Sequence, residues 1–215
     1  MTPECEELGA KTAVTAVCAG GLMNEATRSR AAMADKDMRD IRHSLQGDGY
    51  AYARLIGRYQ NKVAARMRRF AGNAGDHEEL VQEVFVQAFR SLASYRGEAP
   101  FEHWLATIST RVGYGFWKNL SRERSTHWVP IEDLDQLAVT EPHEIDPKWA
   151  ADILYRLMDK LPPRDRLVLL LRYVEEHSVQ ETADLTGWTQ TMVKVQSWRA
   201  RQKLKKLFQE SGLEV

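Results

Sequence analysis

Apolar residues recur at helical spacing along most of this chain and almost nowhere at the alternating spacing of a strand. Tyr52, Leu55, Ile56, Tyr59 and Val63 define one amphipathic face, on a helix whose later turns carry Arg58, Lys62, Arg66, Arg68 and Arg69. Gly72 and Gly75 interrupt the pattern. Asp76 is then expected as an N-cap, with Glu78 and Glu79 in the first turn, where the helix dipole favours them. Leu80, Val81, Val84, Phe85, Ala88, Phe89 and Leu92 make the apolar face of this second helix. Gly97 and Pro100 mark a loop. A third helix is expected from Phe101 to about Arg122, with Trp104, Leu105, Ile108, Val112 and Phe116 as its buried side.

The pattern then stops. Between Thr126 and Pro147 there is no lysine or arginine, while Glu132, Asp133, Asp135, Glu141, Glu144 and Asp146 are present and Pro130, Pro142 and Pro147 break any period. This stretch reads as a flexible acidic linker. Periodicity returns with Ile153, Leu154, Leu157, Met158 and Leu161. Pro162 and Pro163 stop that helix, and Pro163 suits the first turn of the next, whose face is Leu167, Leu170, Leu171 and Val174. A short helix over Ser178–Leu185, a turn at Gly187 and a long helix from Thr189 past Leu207 complete the chain. The expected fold is all-α, with two small helical domains. The boundaries read as a poorly ordered extension over 1–37, a first domain over 38–122, the linker over 123–148 and a second domain over 149–215.

Composition narrows the chemistry. The 215 residues are 28% charged with a formal net charge of zero, so DNA binding must come from locally segregated charge. Cys5 and Cys18 form no CxxC pair and have no histidine at metal spacing, so neither a zinc site nor a disulfide framework is expected. No apolar run approaches the roughly 18 residues of a membrane span, and the stretch from Lys11 to Met23 follows acidic residues and is a poor signal peptide. The expected setting is the cytoplasm, with no membrane insertion. Enzyme motifs fail as well. His77-Glu78 lacks the second histidine of a zinc-protease helix, and Gly113-x-Gly115 follows no strand and is no phosphate loop. The chain is expected to be no enzyme, to need no cofactor or metal and to take no small-molecule substrate.

Ala183, Gly187 and Val193 stand in the register of a helix-turn-helix: a small residue for close packing, a glycine for the turn and an apolar lock, with Val179 and Leu185 adding core. The second helix would enter the major groove with Thr189, Gln190, Thr191, Lys194 and Gln196 toward base edges. Arg199, Arg201, Lys203, Lys205 and Lys206 follow and suit phosphates; the last three would equally complement the helix dipole.

In the first domain, Glu79, Gln82, Glu83 and Gln87 share one polar helix face, suited to docking on a basic or polar protein surface or simply to solvent. On the next helix Trp104, Tyr114, Phe116 and Trp117 interleave with Arg111, Lys118, Arg122 and Arg124. Aromatic rings beside cations can stack on unpaired bases. Trp104 and Phe116 read as core, and Tyr114, Trp117 and Lys118 as the better contacts.

Together these strings resemble the extracytoplasmic-function group of sigma factors over about residues 38–122 and 149–210. Asp76-x-Glu-Glu-Leu-Val-Gln-Glu-Val-Phe looks like the region-two helix that binds core RNA polymerase. Tyr95-Arg-Gly-Glu-x-x-Phe-x-x-Trp-Leu looks like the loop and helix that read the minus-ten element. Leu161-Pro-Pro-Arg-x-Arg-x-Val-x-x-Leu-Arg-Tyr and Trp198-Arg-Ala-Arg-x-Lys-Leu look like the two ends of region four. The resemblance implies an alternative sigma factor that directs promoter recognition, DNA melting and initiation. It assigns core-polymerase binding to Glu79, Leu80, Gln82, Glu83 and Phe85. It assigns minus-ten DNA to Arg96, Gly97, Glu98, Phe101, Trp104, Arg111, Tyr114, Trp117 and Lys118. It assigns minus-thirty-five DNA to Thr189, Gln190, Thr191, Lys194, Gln196, Arg199 and Arg201. Its implied partners are core RNA polymerase, promoter DNA and an anti-sigma factor.

The chain departs from the family pattern where Arg111 replaces an asparagine, at Gly115, and where Val195 and Gln196 replace a common Ser-Arg pair. All of these positions belong to the DNA-reading helices; none lies in the docking helix. Two other readings stand beside this one. A sigma-like mimic would be expected to carry a receiver domain, and an ordinary helix-turn-helix repressor would not need the first domain's loop and aromatic helix.

Overall fold

The computed structural model describes residues 10–126 and 147–211, with side-chain environments for 27–124 and 151–211. Among them the chain is helical, with no strand. The order is α1 (Ala10–Leu45), α2 (Gly49–Met67), α3 (Ala74–Ser91), a 3-10 turn (Leu92–Ser94), α4 (Phe101–Thr126), α5 (Pro147–Asp159), α6 (Pro163–Leu169), a π turn (Leu170–Val174), α7 (Val179–Thr186) and α8 (Gln190–Glu210). The expected acidic linker falls mostly outside the described residues. The chain divides into two compact units, one of residues 1–60 and 88–104, the other of 61–87 and 105–215.

α1 runs back to Ala10, within the stretch expected as a poorly ordered extension over 1–37, of which residues 1–9 lie outside the described residues. Its sequence is rich in alanine, with leucine, methionine and arginine among the rest. These residues favour helix by intrinsic propensity, and propensity leaves no hydrophobic period to read.

In the first unit Ile41, Ala51, Leu55, Tyr59, Ala88, Leu92 and Phe101 are buried. Asp48 opens α2, its carboxylate accepting the backbone N–H of Tyr50 (2.9 Å) and of Ala51 (3.3 Å). A polar seam then ties α1 to α2. Tyr59 donates its hydroxyl to Asp37 at 2.5 Å, and Asp40 receives Arg54 and Arg58, each at 2.6 Å. Burial pushes the Asp40 carboxyl up, but its bonds to the two guanidinium groups outweigh this and hold it below the ordinary carboxylate range.

In the second unit Val63, Met67, Phe70, Leu80, Val84, Leu105 and Trp117 are buried. The buried stripe of α4 is rotated from the expected one. Leu105, Ser109, Thr110, Gly113 and Trp117 face inward, while Trp104, Ile108, Val112 and Phe116 are half-exposed. Small and hydroxylated residues can line a core when their polar atoms are satisfied. Ser109 donates to the carbonyl of Leu105 (2.8 Å) and Thr110 to that of Ala106 (2.9 Å).

The remaining helices of this unit pack around Leu167–Leu171, five consecutive residues that are all buried. A helix apolar on every side belongs in the middle of a core. Past the π turn, the Glu175 side chain is only 3% exposed, lying 2.7 Å from Arg69, 3.2 Å from Arg66 and 3.0 Å from His177. α7 begins with a reciprocal cap: Glu181 N–H donates to the Ser178 hydroxyl, and Ser178 N–H to the Glu181 carboxylate.

Candidate functional site

The helix-turn-helix forms as its register requires. Ala183 is 6% exposed, Val193 is fully buried, and Gly187 closes α7 in the left-handed region (φ 74°), where glycine carries no side-chain penalty. Thr189 caps α8, its hydroxyl accepting the N–H of Met192 at 3.2 Å. Val193, Ser197 and Ala200 face inward and fix the rotation of α8. Thr189, Gln190, Thr191 and Lys194 consequently face solvent at the helix start, and Arg199 and Arg201 face it further on.

Gln196 departs from that face. Its amide donates to Asp165, a carboxylate in the core of this unit, which also receives Lys203 at 2.7 Å. A buried carboxylate thus holds the Gln196 side chain, expected at base edges, against the protein. Lys203 and Lys206 likewise have acidic partners, Asp165 and Glu210. The large residues that do stand outward on α8 are Val195 (43% exposed) and Trp198 (62%).

The loop before α4 is held by aromatic rings. Tyr95, Phe101 and Trp104 stack mutually, each pair of centroids 5.4 Å apart, and Tyr95 donates to the carbonyl of Ala99 at 2.6 Å. Phe101 is buried and therefore supports this loop without offering a contact surface. Gly97 is left-handed (φ 76°), and the Arg96 and Glu98 side chains lie largely in solvent, 3.9 Å apart. Further along α4, Arg111 and Lys118 are exposed, and the Lys118 ammonium sits 5.8 Å from the centre of the half-buried Tyr114 ring.

Trp117, expected at the minus-ten strand, lies in the core. It is 3% exposed, donates its indole N–H to the Phe70 carbonyl, and is covered by the Arg166 guanidinium 3.8 Å from its ring centre. An indole so placed is structural, and Phe116, expected in the core, is the more exposed of the pair.

On α3 the docking expectation divides. Glu79 and Gln82 are exposed and Glu83 is half-exposed, bonded to Gln87. Leu80 and Phe85, also expected to bind core polymerase, are buried and anchor the helix. The outer face instead continues through Val86 (41% exposed) and Phe89 (55%). The sequence period placed Phe89 on the apolar face; its ring packs edge-on against Tyr52, centroids 4.9 Å apart, and its outer part stays exposed.

Residues 55–123 match sigma-70 region 2, and residues 151–204 match sigma-70 region 4. The chain is 28% identical over 172 residues to the ECF RNA polymerase sigma-E factor of Haemophilus influenzae, covering 76% of this chain and 90% of that protein. It is 27% identical over 170 residues to that of Escherichia coli K12, covering 73% and 86%.

The chain belongs to the sigma-70 family of sigma factors.

Solved structures share the fold. CnrH, determined in complex with the cytosolic domain of CnrY, aligns with a TM-score of 0.52 at 22% identity, covering 81% of this chain and 98% of that one. The sigma factor RpoE from Bartonella quintana, determined with the anti-sigma factor NepR, aligns at 0.50 and 19% identity, covering 74% and 96%. As a sigma factor the chain serves transcription initiation, a non-enzymatic role, and α7 and α8 lie in its DNA-binding region 4. Among the described residues no helix is long and apolar enough to cross a membrane, and no group of histidine, cysteine and acidic side chains could hold a metal.

Proposed function

We propose that this sigma factor binds core RNA polymerase through the outer face of α3, reads promoter duplex with α8 and engages the opened minus-ten strand with the loop before α4 and the outer face of α4. The observation that carries the reading is the fixed rotation of α8. Its buried stripe leaves Gln190, Thr191 and Lys194 outward at the end of the helix that a helix-turn-helix offers to the major groove. Lys194 has the donor that guanine O6 and N7 accept, Gln190 suits adenine, and Arg199 and Arg201 suit phosphates.

On α3, Glu79 and Gln82 supply charge and hydrogen bonds, while Val86 and Phe89 supply apolar area. A protein interface needs both. At the minus-ten element, Arg96 and Glu98 flank the left-handed Gly97, and Trp104, Arg111, Tyr114 and Lys118 offer stacking surfaces and cations for an unpaired strand. The protein acts where polymerase acts, in the cytoplasm. An anti-sigma factor holds its free form, as the B. quintana RpoE structure contains one. The test is initiation by core polymerase on a randomised promoter library. Start sites sharing two spaced motifs only when this protein is added support the reading, and random or absent starts with a folded, polymerase-bound protein contradict it.

A further inference from the structure

We propose that Val195 reads a thymine in the upstream promoter element through the base's C5-methyl group, with Trp198 beside it closing the contact to water. The inference rests on α8 being the duplex reader and names what that reader selects.

The geometry begins with the inward stripe. Val193 and Ala200 are fully buried and Ser197 nearly so, its hydroxyl donating to the Val193 carbonyl at 2.7 Å. This pins the rotation of α8 and sends position 195 away from the protein. Thr191, Lys194, Val195 and Trp198 then share the outer face, at spacings that place side chains together on a helix. Two large apolar side chains on a solvent-facing helix surface contribute little to the fold, and such a patch marks a surface that becomes covered.

What covers it follows from the neighbours. Lys194 lies between the cap and the valine, and Arg199 and Arg201 follow, so the patch sits within a cationic surface suited to a polyanion. Gln196, the next residue, is held by the buried Asp165 and leaves position 195 as the reader. Valine has no hydrogen-bonding group. In the major groove the feature it can recognise is the methyl group, which only thymine carries. The Trp198 indole adds apolar surface beside that contact and one N–H donor for a phosphate oxygen.

The experiment uses the full chain with core polymerase on promoters recovered from the library. Each selected thymine in the upstream element is replaced by deoxyuridine, which removes the methyl and nothing else. One position should lose about fourfold in initiation or promoter affinity, the value of one buried methyl. Val195→Ala should abolish that loss, while Lys194→Ala should weaken binding and retain it. Val195 is exposed, so Val195→Ala should unfold at the wild-type midpoint. Absence of any selected thymine, full activity on every deoxyuridine template, or unchanged deoxyuridine sensitivity in Val195→Ala overturns the proposal. A wild-type protein silent on every template defeats the initiation reading itself, and this proposal with it.

Discussion

Trp117 donates its indole N–H to the backbone carbonyl of Phe70 at 2.9 Å, and the two rings lie 4.5 Å apart. The pair locks the end of α2 against α4. Gly113, one turn before Trp117, makes room for it, because a Cβ there would lie 2.4 Å from the Phe70 ring. Gly115 has open space at the same point. The two glycines, alike in sequence, should behave oppositely. Gly115→Ala should stabilise the protein by up to ~1 kcal/mol through helix propensity. Gly113→Ala should destabilise it, since overpacking costs ~1–3 kcal/mol and exceeds the same gain. Denaturant unfolding of both variants checks this contrast.

Replacing Trp117 tests whether its role is support or contact. Trp117→Ala should cost ~3–5 kcal/mol, the range for removing a large buried aromatic. Arg111→Ala and Lys118→Ala should leave the unfolding midpoint within about 0.5 kcal/mol and weaken binding to a single-stranded minus-ten oligonucleotide in the polymerase complex. A Trp117 variant that folds normally but loses only DNA binding would return that residue to the contact surface.

The α3 face separates docking from folding. Phe89→Ser and Val86→Asp should weaken binding to core polymerase at least tenfold while keeping the helical circular dichroism signal. Leu80→Ala, at a buried position, should lower stability by ~2–5 kcal/mol. Polymerase affinity and unfolding midpoints, measured on the same samples, distinguish the two effects.

The polar seam of the first unit should respond to acid. The folded pKa of Asp40 lies below its unfolded value. Its contribution is therefore present above the unfolded pKa, near 4, and is lost as pH falls through the folded one. Asp40→Asn should cost about 1.5–3 kcal/mol at neutral pH, as for hydrogen bonds to charged groups, and should flatten the acid limb of the stability profile. An acid limb unchanged in the variant would place the acid response elsewhere.

The helix-turn-helix was legible in the sequence because it needs three different residue types in fixed register, and Ala183, Gly187 and Val193 supply them. The phase of α4 was not legible. Its inward stripe includes Ser109, Thr110 and Gly113, which a hydrophobic count passes over. α1 escaped for the opposite reason: an alanine-rich helix forms by backbone preference and carries no amphipathic signature. The bond from Gln196 to Asp165 was not legible because the two lie 31 residues apart, and helical spacing reports only near neighbours. On α3 the exposed polar positions Glu79 and Gln82 were legible, but Phe89 was absorbed into the apolar face until the burial of Leu80, Val84 and Ala88 fixed the phase of the helix.

The central claim is promoter-directed initiation, and the most direct measurement is transcription by core RNA polymerase with and without this protein. The template is a randomised promoter library, and the product ends are sequenced. The account predicts starts that depend on the protein, downstream of two motifs at fixed spacing, with Lys194→Ala altering only the upstream one. A folded protein that binds polymerase but yields no dependent start site, or one that does not bind polymerase at all, would contradict it.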